Sequence, residues 1–150
     1  MKLGIADTMF ARADMHKIAK KAIDDSGESV KTKRYTVPGI KDLPIACKKL
    51  LKECDIVIAL GMPGPEKIDK QCAHEASLGL IWAQLLEEKH ILEVFVHLDE
   101  GDEKTIYEVT KNRTYKHTLN AIKLIKDSQS LSKSAGKGIR QGFENEGAIR

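Results

Sequence analysis

Asp55-Ile56-Val57-Ile58-Ala59-Leu60-Gly61 is five consecutive apolar residues between an acid and a glycine. A run of that length with no polar alternation suits a strand covered on both faces, hence a parallel sheet with helices on each side. After Gly61 the segment Met62-Pro63-Gly64-Pro65-Glu66-Lys67 is too rich in proline and glycine to be helical. A long helix follows, with Cys72, Ala73, Ala76, Leu80, Ala83 and Leu86 on its inner face. Gly79 falls on that face too, where a missing side chain would let the helix sit close to the sheet.

Upstream of the run, Leu43, Ala46, Cys47, Leu50 and Leu51 recur at helical spacing, with Lys48, Lys49 and Lys52 outside. The chain enters that helix through Thr36-Val37-Pro38-Gly39-Ile40-Lys41-Asp42-Leu43-Pro44, an apolar lead-in, a Pro-Gly turn and an acid. Such strand-turn-helix junctions are where open α/β sheets bind ligands. Val30 to Val37 reads as a strand, and Met15, Ile18, Ala19, Ala22 and Ile23 mark a helix from Asp14 that stops at Gly27. Lys2 to Ala6 is a short first strand ending at Asp7-Thr8. Downstream, Ile91 to Leu98 is a fourth strand, and Thr105 to Lys126 a last helix marked by Ile106, Val109, Leu119, Ile122 and Ile125. Right-handed crossovers through this β-α-β-α-β-α-β-α order predict a three-layer α/β/α sandwich around a four-stranded parallel sheet. The domain spans residues 1–126, with no internal repeat. Residues 127–150 are rich in serine, glycine and charge and read as a C-terminal tail that a neighbouring subunit would order.

A chain of 150 residues forms one domain with a sizeable core. Its 25 basic and 22 acidic residues are intermixed, and the net charge of +3 forms no basic stripe, so nucleic acid is not an expected partner. No apolar run approaches the ~20 residues of a membrane span, and the first residues read as a strand, not a leader, so a cytoplasmic protein is expected. Cys47, Cys54 and Cys72 are odd in number and lack C-x-x-C spacing. Neither a disulfide nor a zinc site is expected; Cys47 and Cys72 read as buried reduced thiols and Cys54 as a helix-end residue. Neither G-x-x-x-x-G-K-[ST] nor G-x-G-x-x-G occurs, and His74-Glu75 is followed by Leu78 where H-E-x-x-H needs its second histidine.

The four loops that follow the strands fall at one edge of the sheet. They carry an aromatic at Phe10, an acid at Asp42, the glycine-proline loop from Gly61 to Gly64, and a histidine at His97.

The blocks on this rim resemble those of the archaeal-type riboflavin synthases, relatives of the lumazine synthases. Thr36 to Pro44 is similar to the V-P-G-x-x-E-x-P signature of the lumazine synthase superfamily, with Asp42 one methylene shorter than its glutamate. The other blocks are Asp7-Thr8-Met9-Phe10-Ala11-Arg12, Ala59 to Gly64, Cys72 to Leu80, Glu93 to His97, and Gly136 to Glu144. The resemblance runs nearly end to end and implies a flavodoxin-like fold of the lumazine synthase type. The activity it implies is the dismutation of two 6,7-dimethyl-8-ribityllumazine molecules. A four-carbon unit passes from one to the other, giving riboflavin and 5-amino-6-ribitylamino-2,4(1H,3H)-pyrimidinedione. Nothing in that reaction needs an organic cofactor. A magnesium requirement stays open, with Asp7, Asp42, Glu66 and Asp69 offering oxygen ligands.

The resemblance places Thr8, Phe10, Ala11, Gly39, Ile40, Asp42, Gly61, Met62 and Pro63 in substrate binding. Phe10 would stack on a heterocycle, against a plain core role. Asp42 would hold the ribityl chain, against the part of a helix-start acid favoured by the dipole. His74, His97 and Glu66 are the candidates for proton transfer, each against a structural hydrogen bond or a solvated charge. Where lumazine synthases carry a catalytic histidine, this chain has Glu66, Lys67, Ile68 and Asp69, which argues against lumazine synthesis. Arg113 lies near a phosphate-binding arginine of the superfamily, and surface or interface roles stand equally for it. The resemblance also implies a homopentamer with sites between subunits. Lumazine synthase activity and a non-catalytic flavin- or nucleotide-binding module are the competing readings.

Overall fold

The computed structural model covers residues 1–150. Four strands, β1 (Lys2–Thr8), β2 (Lys31–Val37), β3 (Ile56–Gly61) and β4 (Ile91–Phe95), alternate with helices α1 (Met15–Asp25), α2 (Leu43–Leu51), α3 (Lys67–Glu87) and α4 (Glu103–Lys126). All pairings are parallel, in the order β2-β1-β3-β4. The expected three-layer sandwich is what forms.

β3 earns its central place through its side chains. Ile56, Ile58 and Leu60 point into one core, with Met15, Ala19 and Ile23 of α1 and Val109 and Ile122 of α4. Val57 and Ala59 point into the other, with Ala46, Cys47 and Leu50 of α2 and Ala73, Ala76 and Leu80 of α3. Each buried leucine or isoleucine adds about 1.5–3 kcal/mol by leaving water, so two full layers hold the sheet between them. Burial also pushes the Cys47 thiol up to about 12, which leaves it an inert packing residue. β2 is different: Lys31 through Thr36 are exposed along the open edge of the sheet.

Several boundaries differ from the sequence expectation. β1 runs on to Thr8, whereas β4 stops at Phe95, so His97 lies in the following loop. Lys67 is already helical, because Glu66 and Asp69 form a capping box that starts α3 there. Leu86 is exposed, and the inner face of α3 is Ala73, Ala76, Leu80 and Ala83. Cys54 is buried beyond the end of α2, and Cys72 is half-buried.

Gly79 has a partner other than the sheet. A Cβ there would stand 2.6 Å from Cγ of Pro44, so the glycine lets α3 cross closely over the start of α2. Overpacking costs typically about 1–3 kcal/mol, against the ~1 kcal/mol that alanine gains in helix propensity. Gly79→Ala is therefore expected to lower the melting temperature, and an unchanged or raised value by calorimetry would show that Pro44 yields.

The tail returns along α4. The Gly142 amide donates to Asn112 Oδ1 at 2.8 Å, and the guanidinium carbons of Arg113 and Arg140 lie 5.2 and 5.3 Å from the centre of the Phe143 ring. Gly142 has φ +93, and a side chain there would meet Arg113 Nε at 2.5 Å, so glycine suits this close return on two counts.

Candidate active site

The rim is assembled by the carboxyl ends of the strands. β1 ends at buried Thr8, and the loop beyond it leaves the Phe10 ring 63% exposed, so it is available to a flat ligand and is not a core residue. Past β2, Gly39 is extended and Ile40–Asp42 form a single 3-10 turn leading into α2. Asp42 sits at the α2 N-cap without making a cap hydrogen bond, so its exposed carboxylate faces solvent uncommitted to the helix. Lys41 in the same turn pairs with Glu75 of α3 at 2.9 Å, which ties the turn to its neighbour. That pairing holds the Glu75 carboxyl below its ordinary range.

Gly61 joins the second, third and fourth strand ends. A Cβ at Gly61 would lie 3.0 Å from the Phe95 ring and 3.1 Å from Ile40 Cγ2. A side chain at Gly61 would press on both, so glycine lets Ile40 and Phe95 close over the end of β3 without displacement. Past the strands, the Val96 amide donates to the Gly61 carbonyl at 3.0 Å and the Leu98 amide to the Pro63 carbonyl at 2.9 Å, carrying the β3–β4 pairing into the rim. Met62 is 2% exposed and belongs to the α1-side core, so its contribution to a ligand is its backbone.

The three candidates for proton transfer are placed differently. Glu66 spends its side chain in the capping box with Asp69. His74 is exposed on the first turns of α3, beside the Glu75–Lys41 pair. His97 is half-buried, its Nδ1 is enclosed with no hydrogen-bond partner, and its amide donates to Glu100 Oε1 at 2.9 Å. Of the three, His97 alone has an enclosed and unengaged ring nitrogen, which suits a group that exchanges a proton with a ligand.

Sequence reasoning missed what holds His97. Arg113 of α4 grips Glu100 with two bonds of 2.8 Å and the Phe95 carbonyl with a third of 2.9 Å. Desolvation pushes Glu100 up, but its bonds from Arg113 and the His97 amide outweigh this and keep the carboxyl below its ordinary range. The one available signal was Glu100 three residues after His97. Burial pushes the neighbouring Glu93 carboxyl up, against the Ser77 hydroxyl and His97. A second network, also missed, joins the ends of β1 and β2: Arg34 and Thr36 both donate to Asp7. No group of three His, Cys, Asp or Glu side chains is placed to hold a metal ion.

Residues 1–129 match the family model of 6,7-dimethyl-8-ribityllumazine synthase. The chain belongs to the lumazine synthase family. Among its relatives in this family, the riboflavin synthase of Methanothermobacter marburgensis is 51% identical over 99% of both chains. That of Archaeoglobus fulgidus is 49% identical over the same shares, and that of Aeropyrum pernix 39% identical over 99% of this chain and 97% of its own. All but the first residues of the tail lie beyond the lumazine synthase family match yet within the length shared with these relatives. No helix of this family member is long and apolar enough to cross a membrane.

Proposed function

We propose that this protein is a riboflavin synthase that joins two 6,7-dimethyl-8-ribityllumazine molecules by four-carbon transfer. The observation that carries the reading is the identity of about half the residues, over 99% of both chains including the tail, to a protein named riboflavin synthase. The rim supports it. Asp42 and the amides of Gly39 and Ile40 suit a polyol chain, and exposed Phe10 suits a flat ring. Thr8, Ala11, Gly61 and Pro63 complete the floor.

The chemistry asks little of side chains beyond placement and a proton acceptor. One lumazine loses a proton from an acidified methyl group, with His97 the best-placed base. The other surrenders its four-carbon unit and leaves as the diamino-pyrimidinedione, while the acceptor closes a new carbocyclic ring. What one molecule loses the other gains, so no oxidant enters. Holding two rings in contact removes several kcal/mol of such a barrier.

The protein is read as a cytoplasmic pentamer. Leu78, Ile81, Trp82 and Leu85 stand at helical spacing on the outer face of α3, with Trp82 66% and Leu85 65% exposed, and a neighbouring subunit would cover them. Exposed Ile139, Phe143 and Ile149 in the tail suit the same fate.

Purified protein given 6,7-dimethyl-8-ribityllumazine alone, with and without magnesium, is expected to form riboflavin and the pyrimidinedione in equal amounts, at the sedimentation mass of five subunits. Lumazine formed from the pyrimidinedione and a four-carbon phosphate, with no riboflavin in either condition, would replace this reading by lumazine synthesis. Bound flavin without turnover would make the protein a binding module.

A further inference from the structure

The tail packs against the arginine that clamps the His97 loop. Arg113 places three bonds in the plane of its guanidinium, one to the Phe95 carbonyl and two to the oxygens of Glu100. Those bonds fix the edge of the group and leave its faces to whatever packs there. Phe143 takes one face, with its ring centre 5.2 Å from the guanidinium carbon. A ring in that place attracts the cation and keeps water off the Arg113–Glu100 pair, which strengthens the bonds between them. Buried Gly142 delivers the ring. Its amide donates to Asn112 Oδ1 at 2.8 Å, and its backbone passes so near Arg113 that a Cβ would stand 2.5 Å from Nε. Two consecutive residues of the tail thus meet two consecutive residues of α4.

The tail is also closed on itself around this contact. The Glu146 amide donates to the Gly138 carbonyl at 2.9 Å, the Arg140 amide to Asn145 Oδ1 at 3.2 Å, and the Arg140 guanidinium pairs with Glu146 at 2.7 Å. Residues 138–146 therefore form a compact loop, with Arg140 set against the Phe143 ring at 5.3 Å. They lie past the lumazine synthase family match and inside the length shared with the riboflavin synthases. We propose that Phe143 is a positioning residue for proton transfer: it holds Arg113 on Glu100, Glu100 holds the His97 amide, and the tail thereby sets where His97 stands. The inference rests on the riboflavin synthase reading and on His97 as its base. A tail that only adds stability accounts for the Asn112 bond, but it gives no reason for an aromatic ring to face the arginine that reaches the His97 loop.

The test pairs steady-state kinetics on 6,7-dimethyl-8-ribityllumazine with histidine-ring NMR of the full-length protein. Phe143→Leu keeps an apolar side chain and removes the π face. It is expected to lower kcat about tenfold with KM within about twofold of native, and Phe143→Tyr, which keeps the ring, should recover most of the loss. In Phe143→Leu the His97 ring signals, identified by their disappearance in His97→Gln, should move while those of His16, His74 and His90 stay. Added to Arg113→Met, Phe143→Leu should cost little more, because both act through one chain of contacts. Unmoved His97 signals in Phe143→Leu would overturn the role, as would an equal loss of kcat with and without Arg113. A native protein that forms no riboflavin, while Phe143→Leu still moves the His97 signals, would keep the coupling and sink only the reaction.

Discussion

Arg113→Met is expected to lower the melting temperature by roughly 6–12 °C and to cut riboflavin formation sharply at the same time. The pair it breaks is enclosed, with Arg113 and Glu100 side chains 14% and 18% exposed. Removing one member of such a pair strands the other charge, at about 3 kcal/mol or more. The Phe95 carbonyl loses its donor, and the Phe143 ring loses one of its two cations. Activity falls because Glu100 holds the amide of His97, so the loop carrying the proposed base loses its anchor. A pH series gives the change a signature. In the native protein the Glu100 carboxyl lies below its ordinary value, so its contribution to stability is full above about pH 4.3 and is lost as pH falls through the lowered value. Without Arg113, desolvation, the largest influence on that carboxyl, is opposed only by the His97 amide and charge, so the carboxyl rises and protonation then relieves the fold. The gap in melting temperature between native and variant proteins should shrink from pH 7 to pH 4. A gap that stays constant would mean that Glu100 is not the group left stranded.

Asp42→Ala is expected to lower kcat/KM for riboflavin formation about 100-fold with little change in melting temperature. A carboxylate accepting ribityl hydroxyls contributes about 1.5–3 kcal/mol per bond, and tenfold in rate is about 1.4 kcal/mol. Stability should hold because Asp42 makes no cap hydrogen bond that the variant would lose. The competing role, a helix-start acid favoured by the dipole, predicts the opposite pattern: up to about 1 kcal/mol of stability lost and kinetics untouched. Steady-state kinetics beside a melting curve separates the two. Asp42→Glu should retain much of the activity, since it lengthens the same acceptor by one methylene.

The architecture was written plainly in the chain because burial on both faces leaves no room for polar alternation. Ile56 through Leu60 could be read as a covered central strand without any partner in view. The rim loops were legible for a related reason, since Pro38, Gly39, Gly61 and Gly64 can serve only a few backbone paths. The clamp on His97 was not. Arg113 and Glu100 meet because β4 ends two residues before His97 and the loop folds back on α4, which no local pattern encodes. Met62 looked like a rim residue from its loop, and only the packing of α1 and α4 shows its side chain in the core. Gly79 was read as a close approach and is one, but the partner, Pro44, is distant in sequence and became visible only with the crossing of α2 and α3. Asp7 and Arg34 come together because the register sets Asp7 beside Thr36 and Ile5 beside Arg34, a detail fixed by strand pairing.

The exposed edge of β2 bears on which strands this sheet can accept. An open strand offers a row of unpaired amides and carbonyls to any other strand, the usual start of aggregation. Here Lys31, Lys33 and Arg34 line that edge, and Lys33 already reaches Glu53 at 2.5 Å. Two copies meeting edge to edge would bring cation against cation, so identical chains repel along this edge. A strand bearing carboxylates would be welcomed on the same edge. The charge on β2 thus disfavours pairing between like edges while leaving the edge open to a complementary partner.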